Sequence, residues 1–125
     1  MLIEIEASSP VPIYTQLINQ IKKAIVKGEL KRGEMLPSVR VLAGDLGVNM
    51  HTINKAYNLM VDEGILLKSQ RGYLVTESKQ RPEEVEEQLK EKIEELLIEV
   101  YLHEVSSEHI KEWMQDTASQ LEKEW

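Results

Sequence analysis

The sequence predicts a mainly α-helical chain with one small β-hairpin. Three observations predict it. Apolar residues recur at steps of three and four through the first run and again through the C-terminal third. The stretch from Leu36 to Tyr57 reads as two short helices joined by a tight turn at Gly47. Residues 65–69 and 72–76 are the one pair of strand-like runs close enough to fold back on each other.

Each element has a local cause. Ile3 and Ile5 alternate with Glu4 and Glu6, which predicts a short strand. Ser8, Ser9, Pro10 and Pro12 then break the chain and start a helix, Pro12 being tolerated in the first turn. Ile13, Leu17, Ile18, Ile21, Ala24 and Ile25 recur at helical spacing, predicting a helix over residues 12–27 that stops at Gly28. Residues 31–34 read as a loop. Ser38 is an N-cap for a second helix over residues 39–46. Gly44 in its middle costs about 1 kcal/mol relative to Ala, so this helix leans on tertiary packing. Gly47 supplies the positive φ of a sharp turn, and Asn49 caps a third helix over residues 50–63, ended by Gly64. Ile53, Ala56 and Met60 line one side of it; His51, Thr52 and Lys55 point elsewhere. The hairpin turns at Gln70 and Arg71. Helix, helix, turn, helix, hairpin is the order of a winged helix-turn-helix, here assigned to residues 1–78.

Residues 77–83 are polar with one proline and read as a linker. Beyond it Val85, Leu89, Ile93, Leu96, Leu97, Val100 and Tyr101 form an apolar stripe, Ser106 and Ser107 interrupt, and Ile110, Trp113, Met114, Thr117 and Leu121 form a second. Two helices with one apolar side each cannot close a core alone. They must pack on each other, on the front domain or on another subunit. The residues leave these three open; the expectation for residues 79–125 is the last, a two-helix dimerisation tail with Val85, Leu89, Ile93, Leu97, Val100 and Trp113 buried between subunits of a homodimer.

Composition narrows the class. The chain has 125 residues, 42% of them apolar, and no cysteine, which excludes disulfides and thiolate metal sites and points to a reducing, cytoplasmic setting. The N-terminus lacks the basic start and apolar run of a signal peptide, and no stretch of 18 apolar residues exists to span a membrane. The net charge of −7 looks wrong for a nucleic-acid binder. It is, however, unevenly spread: residues 1–78 hold nine Lys/Arg against eight Asp/Glu, whereas residues 79–125 hold six against 14. A front part at +1 must gather its positive groups on one face to bind DNA, with few phosphate contacts and a moderate salt dependence.

The chemistry is concentrated between Ser38 and Gly72. A short helix with one apolar side and one side of small hydrogen-bonding groups, braced by a partner helix, is a means of setting side chains against base edges in the major groove. Arg40 offers a planar fork suited to phosphate or to guanine O6 and N7; the competing reading is a surface arginine paired with Asp45 or a helix end. Asn49, Met50, His51, Thr52 and Lys55 share the outer part of the third helix, Thr to bond phosphate or base, Lys to supply charge, Met50 to touch a thymine methyl. Arg71 and Gly72 form the hairpin tip beside Lys68 and Ser69, and an arginine there can enter a narrow minor groove. Tyr57 and Tyr14 read as packing residues. His103 and His109, six apart across a helix break, read as solvated rather than metal-binding. Trp113 and Trp125 read as interface or core.

Six motifs occur in order: Pro12-Ile13-Tyr14-x-Gln16-Leu17, Gly33-x-x-Leu36-Pro37-Ser38-x-Arg40, Leu42-Ala43-x-x-Leu46-Gly47-Val48-Asn49, Thr52-x-x-x-Ala56-Tyr57, Glu63-Gly64 and Gly72-x-x-Val75. On these, over roughly residues 8–76, the chain resembles the GntR family of bacterial transcription regulators. Its short helical tail is similar to that of the YtrA subfamily, which lacks the large ligand-binding domain of other branches. The resemblance implies a sequence-specific DNA-binding regulator, a dimeric repressor on an inverted-repeat operator. It also implies that Arg40, at the start of the second helix, touches DNA. Two departures stand out: many relatives carry Arg where this chain has Met50, and a second Gly where it has Gln70. An effector ligand is not identified by the sequence, and no cofactor is implied. Two other classes compete. A protein-interaction module without DNA binding fits the low basic charge; the set Arg40, Thr52, Lys55 and Arg71 argues against it. An enzyme fits least, because no nucleophile–base pairing, glycine-rich phosphate loop or metal-ligand cluster is present.

Overall fold

The computed structural model describes residues 3–77 and 83–124; Trp125 and residues 78–82 of the expected linker lie outside the described residues. The chain divides into two compact units with the boundary after Glu77. In the first, α1 (Ile13–Val26) starts on Pro12, whose ring sets φ near the helical value while ψ of 145° keeps it outside the helix. Leu17, Ile18, Ile21 and Ala24 of α1 are buried. The residues before it do not form the expected strand: Ile3–Glu6 has no strand pairing. Two glutamines one helical turn apart hold it instead. Gln16 accepts from the Glu6 N–H at 2.9 Å and donates to the carbonyls of Glu6 and Val11, at 3.0 and 2.9 Å. Gln20 accepts from the Glu4 N–H at 2.7 Å and donates back to the Glu4 carbonyl. A primary amide carries the same donor and acceptor as a peptide group, so the extended backbone pairs with side chains of a helix rather than with a neighbouring strand.

Helix α2 (Val39–Leu46) and helix α3 (Met50–Asp62) form the helix-turn-helix. Ser38 caps α2 by accepting from the Val41 N–H at 3.1 Å, and Asn49 caps α3 by accepting from His51 N–H at 2.7 Å. Between them Gly47 takes φ 67°, ψ 32°, where a side chain would be strained. Helix α3 packs across α1 and α2 through Ile53, Ala56, Tyr57 and Met60, all fully buried. Burying Ile53 or Met60 is worth about 1.5–3 kcal/mol each, which offsets the weak intrinsic helicity of an α2 with Gly44 at its centre.

Strands β1 (Leu66–Ser69) and β2 (Gly72–Val75) pair antiparallel, with Ser69 opposite Gly72 and Leu66 opposite Val75. Leu66 and Val75 face the core, and Tyr73 joins them at 7% exposure. The loop before α2 is more ordered than expected. Met35 bridges Leu74, Gly33 N–H donates to Val75 O at 2.8 Å, and Leu36 N–H donates to Tyr73 O at 2.8 Å, so this segment lies along the free edge of β2.

The second unit holds α4 (Glu83–Leu102) and α5 (Ser107–Gln120). Glu83 opens α4 rather than closing the linker; with Glu84 and Glu86 it places negative charge at the positive end of the helix dipole. The helix ends where Glu104 adopts φ 55° and Val105 N–H donates to Val100 O at 2.9 Å. Ser106 caps α5 through His109 N–H at 3.1 Å. Val100 and Ala118 are buried and Val85 and Leu97 half-buried, whereas Leu89, Ile93, Leu96, Tyr101 and Trp113 are exposed. Among the described residues no helix is long and apolar enough to cross a membrane.

Candidate nucleic-acid interface

The inner side of α3 is consumed by the core, and this fixes what its outer side presents. Met50, His51, Asn54, Lys55 and Asn58 are exposed, and Thr52 is half-buried. At the amino end, the Asn49 carbonyl side chain is used in capping, which leaves its amide N–H groups free to donate. Ser38 likewise accepts through its hydroxyl oxygen, which leaves its proton to donate. The helix dipole adds partial positive charge at Met50 and His51.

Arg40 sits in the first turn of α2 and is exposed. Among the described residues it has no ion pair, with Asp45 or any other acid. Arg71, at the hairpin tip, is exposed and has no acid partner there either; its N–H is held by the Ser69 hydroxyl at 3.2 Å while that hydroxyl donates to Gly72 O at 3.0 Å. Gly72 serves the turn through its backbone. Its φ of 132° disfavours any side chain, and an added Cβ would stand 3.4 Å from the Met35 methyl. By contrast, two acids of this unit are paired with lysines: Glu63 with Lys22 at 2.9 Å and Glu29 with Lys27 at 3.6 Å. Arg40, Lys55 and Arg71 are thus three exposed cations of the front unit with no acid partner among the described residues.

Lys55 is not loose. Its ammonium lies 3.9 Å from the centre of the Tyr14 ring, a cation–π contact worth about 0.5–1 kcal/mol at an exposed site. Tyr14 of α1 therefore aims a side chain of α3. Tyr57 fixes the other geometry that matters. Its hydroxyl donates to the Pro37 carbonyl at 2.9 Å, tying α3 to the residue just before the α2 cap and hence setting Arg40 relative to the outer face of α3. Burial pushes the Tyr57 hydroxyl well above the ordinary tyrosine range, with Tyr73 adding to it, so the phenol stays protonated and keeps its hydrogen to donate.

Sequence patterning missed Asn54 and Asn58. Both meet the hydroxyl of Tyr73, at 3.4 and 2.9 Å. The intervals from Met50 to Asn54 to Asn58 are four residues, the one signal that could have grouped them. In the tail, His103 lies 3.3 Å from Glu99 and His109 stacks on Trp113 at 6.2 Å, and among the described residues no group of His, Asp and Glu could hold a metal ion.

The chain is similar in sequence and fold to known proteins. Residues 13–75 match the family described as bacterial regulatory proteins, gntR family. The chain is 33% identical over 123 residues to the HTH-type transcriptional repressor YtrA of Bacillus subtilis, covering 96% of this chain and 95% of that one. Its fold matches that of YtrA from Sulfolobus acidocaldarius, a GntR-family transcription factor, with a TM-score of 0.68 and 44% identity over 78% of this chain and 99% of the other. It also matches the DNA-binding domain of AraR in complex with operator ORX1, with a TM-score of 0.54 and 29% identity over 59% of this chain and 96% of that one. A helix-turn-helix with an arginine at the head of α2, a polar outer face on α3 and a basic hairpin tip, matched to these relatives, makes the chain a DNA-binding transcriptional regulator that belongs to the gntR family of bacterial regulatory proteins.

Proposed function

We propose that this chain is a cytoplasmic, dimeric repressor that acts by occupying promoter DNA, without a catalytic step. Residues 1–78 serve as the DNA-binding domain. Helix α3 enters the major groove with Met50, His51, Thr52 and Lys55 toward base edges and phosphates, and Asn49 at its head. Arg40 and Ser38 grip the backbone or a guanine, and Arg71, presented by the turn at Gly72, enters the adjoining minor groove. The observation that carries this reading is that Arg40 and Arg71 are exposed and without acid partners among the described residues, on a unit whose acids Glu29 and Glu63 are paired with lysines. AraR, a fold relative, is solved with its operator, and the full-length relative YtrA is a repressor.

Residues 79–125 serve as the dimerisation region. Leu89, Ile93 and Trp113 are about half exposed, at 49, 54 and 51%, and a cleft of about 400 Å³ lined by Leu96, Ile110, Trp113 and Met114 opens beside them. A second copy of the same two helices covers such a surface by two-fold pairing, burying Val85, Leu97 and Val100 with it between the subunits. A two-fold dimer reads an inverted repeat with half-sites about one helical turn apart.

The test is fluorescence polarisation with labelled duplex from the promoter of its own gene. Arg40→Ala is expected to weaken binding at least tenfold at about 0.1 M salt, as loss of a charge-assisted contact worth about 1.5–3 kcal/mol requires. If Arg40 bonds phosphate, the slope of log affinity against log salt also falls by about one. Unchanged binding across the salt series removes Arg40 from the interface.

A further inference from the structure

Helix α3 carries an exposed strip that the motifs do not use. Met50, Asn54 and Asn58 recur every fourth residue, so they stack along one side, each about 6 Å further along the axis. All three are exposed. Asn54 is the fifth residue of α3, in the half that lies deepest in a groove for this class of motif. The two asparagines share one partner. The Tyr73 hydroxyl, reaching from β2, lies 2.9 Å from Asn58 Oδ1 and 3.4 Å from Asn54 Oδ1. Tyr73 is itself nearly buried, its ring set edge-on to Tyr57 at 4.9 Å, so its hydroxyl is a fixed point.

A phenol has one hydrogen to give and lone pairs with which to accept. The shorter contact takes the hydrogen, which ties down Asn58. Asn54 cannot receive the same hydrogen at full strength. After a half-turn of its amide it can instead donate one Nδ2–H to the Tyr73 oxygen. That leaves its second N–H and its Oδ1, neighbours on one exposed amide, to meet a partner outside the protein. One donor next to one acceptor is the complement of adenine in the major groove, where N7 accepts and the N6 amino group donates. Met50, one turn nearer the amino end, brings a soft apolar tip of the kind that suits the methyl of thymine.

We propose that Asn54 reads an adenine in each half-site and that Tyr73 is the positioning residue that orients its amide. This rests on α3 being the groove-entering helix. The test is selection of bound duplexes from a randomised pool, using full-length protein, Asn54→Ala and Tyr73→Phe, followed by affinity measurements on the selected site. Wild type is expected to select a fixed adenine in each half-site. Asn54→Ala still binds but loses roughly five- to hundredfold discrimination at that position, with the rest of the sequence unchanged. Placing 7-deazaadenine there weakens wild type by a comparable factor and leaves Asn54→Ala unaffected. Tyr73→Phe relaxes the same position with its salt slope intact, which a merely structural loss does not do. Asn54→Ala that selects the same site with full discrimination overturns the inference. Discrimination that survives Tyr73→Phe overturns the positioning role. Wild type that selects no sequence overturns the groove reading of α3 itself.

Discussion

Replacing Tyr57 by phenylalanine removes one oxygen atom and leaves the ring in place. The hydroxyl donates at 2.9 Å to the Pro37 carbonyl, and Tyr57 has no exposed surface. The net worth of such a bond is about 0.5–1.5 kcal/mol, and an acceptor left unsatisfied in the interior adds about 1–3 kcal/mol. Pro37 is only half-buried, so water reaches its carbonyl in part and the sum stays near the low end, about 1–2 kcal/mol. For a unit of this size that lowers the melting temperature by about 5–15 °C. A second signature is independent of that figure. Burial holds the folded-state hydroxyl far above the ordinary value of 10.0, so the folded protein disfavours the phenolate that the unfolded chain forms freely. The stability tied to this group is whole below pH 10 and is lost as pH rises beyond it, at up to about 1.4 kcal/mol per pH unit. The phenylalanine variant carries no such proton. Denaturant titrations followed by circular dichroism, at pH 8 and pH 11 for both proteins, give the difference directly. The parent must lose its advantage over Tyr57→Phe at the higher pH. Equal stability of the two proteins at pH 8, or a gap that does not close at pH 11, refutes the reasoning.

Two further outcomes are expected. A Cβ at Gly44 meets nothing within 4 Å, and the residue lies inside α2 at the surface, so Gly44→Ala stabilises the front unit by about 0.5–1 kcal/mol; an unchanged or lower melting temperature contradicts the open space described there. In the tail, Ile93→Glu puts a charge into the exposed stripe of α4 and is expected to convert a dimer to monomer in sedimentation at micromolar concentration while the helical content stays the same; a parent protein that is already monomeric removes the dimerisation role.

Much of the fold was legible because its punctuation is local. Ser38, Gly47 and Asn49 each act within a few residues, and α2 begins and ends where they dictate. The hairpin follows from two residues between two apolar runs. The misreading at Ile3–Glu6 has a physical cause. Alternation reports that every second side chain is covered; it does not report what pairs with the backbone, and here glutamine side chains do so. The pairing of Met35 with Leu74 joins segments far apart in the chain, and nothing in either segment announces it. For the site, charge and motif pointed to Arg40 and Arg71, whereas Asn54 resembles any other polar residue on a wet helix face. Only Tyr73, 19 residues later, distinguishes it.

The paired glutamines of α1 have a consequence for which changes the N-terminal arm tolerates. They read the main chain of Glu4 and Glu6 and ignore what those residues carry. The arm is thus free to drift in sequence at these two positions, with one prohibition: proline, which has no hydrogen on its nitrogen to offer the waiting oxygen. The glutamines enjoy no such freedom. Even glutamate, matched in size, loses the half of the handshake that gives.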